Sequence, residues 1–452
     1  MKVLLVRPPR IKQAITISDF MFSEPLGLEM VYGVIKAKCK VEIFDMMIEK
    51  MSLTEKLKEY NPDIIGITSL CIDVYKVIDL AIEVKKFNKD IITFVGGTQT
   101  YLNPGSFNHE SIDYIFEYTN EVNLNQFIEK METDTVLDIA GILSKSNNYE
   151  SMGVKGRNQY MLPDRTSTAK YRSKYSYFGY KPTAIMEFGV GCEKTCDFCL
   201  RWRIEGYKEK LIDLELIKKD ILNIKEPTIM FFDNDFFGNE EKITTFIELV
   251  KELELSKNYI VYGSVKGIIE YKDLIKELKE LGLKAVLVGY ESFSDEEMQR
   301  YNKKSTIKDN FIASSILKEL KIDAWGSFIA HPDWDVDDFK SLRKYIKDLR
   351  PEVATISPLT PFPNLPIYKA YEDRLLYDIT DFEKWSFGQV IIRPSQISLR
   401  RYYYELLKTN LYINLFVNKK TEMLKHYGIK NIARFIIGGL KTLYKYMVLM
   451  LE

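Results

Sequence analysis

Along the first third of the chain, short runs of aliphatic and β-branched residues alternate with segments whose apolar positions recur at helical spacing. Lys2–Pro9, Val41–Met46, Asp63–Leu70, Ile92–Gly97 and Asp113–Tyr118 read as strands, and Pro25–Cys39, Ser52–Asn61 and Val74–Asn88 as helices between them. Continuous apolar strands joined by helices predict a parallel, doubly wound α/β sheet. Sheets of this kind bind ligands beyond the carboxyl ends of their strands. Here those ends are Pro8–Pro9, Ser69–Leu70, and Gly96–Gly97 with Thr98. Glycine after a strand serves either a tight turn or the close approach of a flat ligand.

Residues from about 135 to 180 are polar and irregular, Ser144–Gln159 being the most linker-like piece. A second alternating series follows, with strands at Thr183–Gly191, Thr228–Asp235, Tyr259–Val265, Ala285–Ser292, Ala324–Ala330 and Val353–Leu359. Asp213–Ile224 and Lys242–Leu255 are among the helices between them. Six strand–helix units in a row predict a partial parallel (β/α)6 barrel with its chemistry at the carboxyl ends of the strands. From about Tyr371 the pattern turns to helices, ending in Ile432–Leu451. The expected organisation is a first domain over 1–135, a linker over 136–180, the barrel over 181–370 and a helical region over 371–452.

At 452 residues the chain exceeds one ordinary core, and a 46% hydrophobic, 13% aromatic composition supports packed domains. Lysine plus arginine (64) balances aspartate plus glutamate (64), so no whole-chain field gathers nucleic acid. The amino terminus reads as a buried strand rather than a signal peptide, and no apolar run is long enough to span a membrane, so a cytoplasmic protein is expected. Five cysteines do not make a disulfide framework in a chain of this size. Cys39 and Cys71 read as buried apolar residues, Cys71 sitting where it can face the ligand crevice.

The other three cysteines carry the chemistry. Gly189–Cys199 (GVGCEKTCDFC) sets Cys192, Cys196 and Cys199 at spacings of four and three, directly after the first barrel strand. Thiolates are the usual ligands of iron–sulfur clusters. Three of them leave one iron of a [4Fe–4S] cluster open to a small molecule. A tetrahedral zinc site needs a fourth protein ligand, and none lies nearby in sequence. With Phe198 before the last cysteine, the segment resembles the signature of the radical S-adenosylmethionine (SAM) superfamily. The resemblance implies that SAM chelates the open iron and is cleaved reductively to a 5′-deoxyadenosyl radical, with an external donor such as flavodoxin or ferredoxin supplying electrons. It further implies that Asp233 and Asp235 meet the SAM amine, that Glu291 and Ser292 meet the ribose, and that Gly326–Pro332 and Ser357–Tyr368 close over adenine. A strand-end turn with helix-capping acids is the plainer account of the two aspartates.

The first domain resembles the Rossmann-like cobalamin-binding domain fused to such barrels, in its LLVRPP strand, PLGLEMV helix, DIIGITS strand and VGG turn. Ser69, Leu70, Gly96, Gly97 and Thr98 are then the candidate cobalamin contacts. An Asp-x-His-x-x-Gly motif is absent, the first histidine being His109, which implies cobalt not ligated by histidine from below. Glu117–Glu121 (EYTNE) replaces the glycine-rich loop of many relatives. The two resemblances together imply a methyltransferase in which one SAM supplies methyl to cobalamin and a second supplies the radical. The substrate that the resemblances imply is an unactivated carbon or phosphinate of a small molecule, lipid or natural product. The alternatives are a radical SAM cyclase or rearrangement enzyme, and a cobalamin-binding sensor. His331 and Tyr290 are candidate proton acceptors, packing being the alternative for each. The last helix, with Arg434, Lys441 and Lys445 beside an apolar face, either docks on the barrel or makes peripheral membrane contact.

Overall fold

The computed structural model describes residues 1–9, 11, 21–133, 139–144, 156–177, 179–418, 440–441 and 443–450. The first sheet is built from β1 (Lys2–Arg7), β2 (Lys40–Asp45), β3 (Ile64–Ser69), β4 (Ile92–Gly97), β5 (Tyr114–Phe116) and β6 (Ile142–Ser144). Their order is β2-β1-β3-β4-β5-β6, parallel except for β6. The strand order reverses at β1, so the crevice of a doubly wound sheet opens at the carboxyl ends of β1 and β3. The antiparallel strand β6 falls in a segment whose pattern reads as irregular, because three residues give too little alternation to mark it.

The second sheet comprises β7 (Thr183–Met186), β8 (Thr228–Phe231), β9 (Asn258–Gly263), β10 (Leu283–Glu291), β11 (Asp323–Ala330) and β12 (Val353–Pro358), all parallel and in sequence order. β7 and β12 are the two edges, so the barrel is open between them. The mixed α/β architecture expected from the pattern is therefore present. One apolar cluster runs from Val3, Leu5 and Leu28 of the first unit to Ile185 and Met230 of the barrel.

A buried ionic junction clamps the two units. Arg165 donates through Nε and Nη2 to Asp220, both at 2.7 Å, and through Nη1 to Glu24 at 2.9 Å and Glu29 at 3.2 Å. Glu24 in turn accepts from the backbone N–H of Ile185 in β7 at 2.8 Å. Arg172 extends the network to Glu29 (3.0 Å) and to Glu226. Both arginines come from the stretch that reads as a linker; composition marks that stretch as polar but not its polar groups as buried.

The carboxyl-terminal region is only partly helical. Pro366–Ala370, Glu372–Arg374 and Phe382–Lys384 are single 3-10 turns, and a regular helix begins at Leu399, running to Tyr412. Pro363, Pro366 and Pro394 break the periodicity that reads as helix. Of the last predicted helix, residues 432–439, Arg434 among them, lie outside the described residues. Tyr446 is buried and donates to the Gly388 carbonyl at 3.0 Å, which docks this segment on the fold. Among the described residues no helix is long and apolar enough to cross a membrane.

Candidate active site

The cysteine loop leaves β7 through Gly191, whose φ of +91° is open to glycine. Backbone contacts then hold the loop. The Cys192 N–H donates to the Gly206 carbonyl (3.0 Å), the Asp197 N–H to Tyr301 (3.0 Å) and the Cys199 N–H to Cys196 (3.1 Å). Trp202 Nε1 donates to the Cys196 carbonyl at 3.0 Å, and Asn302 Nδ2 to that of Thr195 at 3.0 Å. None of these bonds uses a thiol. Cys192, Cys196 and Cys199 all line one cavity of about 230 Å³ and influence one another's charge. Burial raises all three thiols, Cys192 to about 11, so they carry protons until a metal displaces them. An all-thiol donor set of three in one pocket suits an iron–sulfur cluster. Among the described residues no group of three histidine, cysteine or acidic side chains converges on a single ion.

Two lysines invisible to the motif share this cavity. Lys194, between the cysteines, pairs with Asp235. Burial opposes ionisation of Asp235, but the Lys194 ammonium and the Ser264 N–H hold its carboxyl below the ordinary value. Lys303 pairs with Glu291 at 2.8 Å. Glu291 sits at the irregular end of β10 with φ +60°, and a Cβ on Gly289 would meet Lys303 Nζ at 2.9 Å. Phe198 lines the same space and packs edge-on against Tyr301, ring centroids 5.3 Å apart. Asp235, Glu291 and Phe198 therefore meet at the cysteines.

Four other candidates do not. Asp233 accepts from the N–H groups of Phe188 and Gly189, both at 2.8 Å, and faces Lys242 at 3.3 Å, so it closes the turn after β7 and is buried away from the cavity. Ser292 is buried, donates to Glu297 and accepts from the Ser294 N–H, a turn-capping role. Tyr290 points to the outer face of β10, where it stacks on Phe328 at 5.9 Å beside Tyr345 and Asn310. His331 is buried against Tyr371, Nε2 to hydroxyl 3.0 Å; burial lowers it to about 4 despite Asp333, so it is neutral and packed. It lines neither cavity.

Above the barrel lies a cavity of about 2460 Å³. Ser69, Leu70, Cys71, Gly97 and Thr98 line it from the first sheet, and Phe198, Cys199, Glu187 and Glu291 from the barrel. Gly96 does not reach it. Gly97 has φ +117°, and a Cβ there would lie 2.7 Å from the Ser69 carbonyl oxygen, so the adjacent strand already demands glycine. Cys71 borders the crevice, and burial raises its thiol to about 12. This volume is more than twice the about 300–1,000 Å³ of an ordinary ligand pocket. Space of this extent at the strand ends suits a large cofactor.

Comparison with known proteins agrees with both halves. Residues 186–346 match the model of the radical SAM superfamily and residues 14–124 that of the B12 binding domain. The chain joins a radical SAM domain to a B12 binding domain. It is 26% identical over 416 residues to the hopanoid C-3 methylase of Methylococcus capsulatus, covering 90% of this enzyme and 79% of that one. It is 23% identical to the anaerobic magnesium-protoporphyrin IX monomethyl ester cyclase of Rubrivivax gelatinosus, covering 93% and 79%. Its fold matches that of the cobalamin-dependent SAM radical enzyme OxsB bound to aqua-cobalamin and SAM, with a TM-score of 0.70 at 16% identity, over 97% of this chain and 71% of that one. The enzyme's cofactors are a [4Fe–4S] cluster, SAM and cobalamin.

The wall between the two cofactor regions holds a group absent from any motif. Glu187, at the carboxyl end of β7, faces the cavity together with Glu205 and Arg201. Burial, then the Glu205 carboxylate, raise Glu187 to about 8, with Arg201 opposing. From about pH 4.5 to 8 the folded enzyme therefore keeps a proton that the unfolded chain releases, and stability falls as pH rises through that window. Glu187→Gln should flatten this dependence, read as Tm against pH between about 5 and 8. Glu29, raised to about 7 mainly by burial, acts in the same direction and leaves a residual slope in the variant.

Proposed function

We propose that the enzyme is a cobalamin-dependent methyltransferase acting on an unactivated carbon or a phosphinate of a small molecule, lipid or natural product. One observation carries this reading: Ser69, Gly97 and Thr98 at the ends of the first sheet and Phe198, Cys199 and Glu291 beside the cysteine loop line one continuous cavity. Two cofactor sites that open on the same space can act in turn on one substrate. When bound, SAM at the cluster supplies a hydrogen-abstracting radical and cobalamin carries the methyl group. The chain's own share is placement. Asp235, held ionised by Lys194, is the remaining candidate for the SAM amine, and Glu291, oriented by Lys303, for the ribose hydroxyls. Glu187 presents a protonated carboxyl to the cavity at neutral pH. The apolar walls around them exclude water from the reacting atoms.

The named activity of the hopanoid methylase belongs to the same reaction class. The cyclase relative favours a second reading, ring closure or rearrangement without methyl transfer. The reconstituted enzyme, given reductant, cobalamin and SAM, is expected to form both 5′-deoxyadenosine and S-adenosylhomocysteine. Omitting cobalamin should abolish S-adenosylhomocysteine formation and leave deoxyadenosine. Deoxyadenosine alone, with cobalamin present, would establish the second reading instead.

A further inference from the structure

The large cavity is chemically lopsided. Its charged lining residues, among those described, all lie at or before Glu291, on the first unit, the linker and the early barrel strands. From Ser327 to Tyr446 the lining carries no charged side chain among the described residues. This wing, uncharged on its β12 side, follows the open side of the barrel. One edge is Ile185 of β7, with Leu26 and Met30 of the first unit beside it; the other is β12 with the segments behind it.

An edge strand normally presents unpaired backbone groups, and here an asparagine ladder meets one of them, the Ala354 N–H. The Ala354 N–H donates to Asn418 Oδ1 at 2.8 Å, and Asn418 Nδ2 reaches Asn414 Oδ1 at 3.3 Å. Asn414 Nδ2 donates to the Asn410 carbonyl at 2.9 Å, and Asn410 Nδ2 to that of Leu406 at 3.0 Å. One N–H of each of these three side-chain amides is thus engaged within the protein. Between them Leu411, Leu415 and Leu440 face the cavity at 39%, 55% and 58% exposure. Leucines left open on a cavity wall, next to polar groups already engaged, offer a ligand apolar contact and little else.

Resting on the methyl-transfer reading above, we infer that the substrate is a water-insoluble lipid whose hydrocarbon body lies in the gap between β7 and β12, against Leu26 and Met30 on one side and Leu411, Leu415 and Leu440 on the other. The site to be methylated then projects toward the cysteines and the cobalamin crevice. A small polar substrate would leave the β12 side of the wing empty or filled with water against leucine, and a charged one would find no partner there. On the β7 side the carboxylate of Glu24 is already held by the Ile185 N–H and by Arg165. The volume is consistent: a single ligand of about 300–1,000 Å³ does not fill 2460 Å³, so the space is of the size for more than one ligand.

The test has two arms on the fully reconstituted enzyme. Methyl-labelled SAM is supplied with either the chloroform-soluble or the water-soluble extract of the cells that make the enzyme. In parallel, saturable binding of pyrenedecanoic acid, an apolar probe that needs no turnover, is followed by fluorescence. The expected results are label in the chloroform-soluble product, and probe binding weakened about tenfold or more in a Leu411→Glu, Leu415→Glu double variant. Iron and cobalt content equal to the parent's checks that the variant is folded. Label confined to a water-soluble product overturns the inference and leaves methyl transfer standing, as does the absence of saturable probe binding. Failure of S-adenosylhomocysteine to form with either extract overturns the methyl-transfer reading itself, and the lipid assignment falls with it.

Discussion

Replacing Cys192, Cys196 and Cys199 with alanine should abolish SAM cleavage completely while leaving the fold and the cobalamin crevice in place. The loop supports this separation of effects, because it is held by backbone bonds to Gly206 and Tyr301 and by the Trp202 and Asn302 side chains rather than by the thiols. The crevice is formed from a different sheet, at Ser69, Gly97 and Thr98. The variant, after anaerobic treatment with iron and sulfide, is expected to remain free of iron, to form no 5′-deoxyadenosine and still to retain cobalamin on gel filtration. A cobalamin sensor would behave identically with and without the cysteines. Residual deoxyadenosine from the triple variant would mean that the cluster is held elsewhere.

Arg165→Ala should produce the largest loss of stability from any single change outside the cores. Arg165 is 5% exposed and is surrounded by Glu24, Glu29 and Asp220, whose carboxylates are also buried. Removing the guanidinium leaves Asp220 without a counter-charge and Glu24 and Glu29 with Arg172 alone, and breaking a buried ion network in this way costs about 3–5 kcal/mol. Burial already raises Glu24 and Glu29, so in the variant these groups would take up protons, and the defect should lessen as pH falls. Thermal unfolding at pH 8 and pH 6 checks both points. Because the junction joins the two units, the first transition should be their separation. A single unshifted transition would show that the apolar interface alone holds them.

The strands of both sheets, β6 apart, are legible because they are runs of β-branched or aliphatic residues punctuated by Pro, Gly, Asn or Asp. The cysteine loop was legible because the spacing is local. What escaped were groups whose roles depend on parts of the chain distant in sequence. Lys303 becomes a site residue only through its pairing with Glu291, and Glu187 only through the approach of Glu205 and Arg201. Strand alternation could have sorted Tyr290 from Glu291, since neighbours on a strand face opposite sides. Glu291 turns to the cysteines and Tyr290 to the helices. No such rule separates Asp233 from Asp235: both lie past the end of β8, where the pleat no longer fixes direction, and only Asp235 reaches the cavity. The linker was misjudged for a related reason. Its polar composition is real, but Arg165 and Arg172 are polar groups directed inward.

The most direct measurement is anaerobic reconstitution of the intact chain with iron, sulfide and hydroxocobalamin, followed by desalting, metal analysis and incubation with SAM and reductant. About four irons and about one cobalt per chain, with 5′-deoxyadenosine and S-adenosylhomocysteine formed together, is the result these sites predict. A colourless protein that retains neither metal and leaves SAM intact would contradict it.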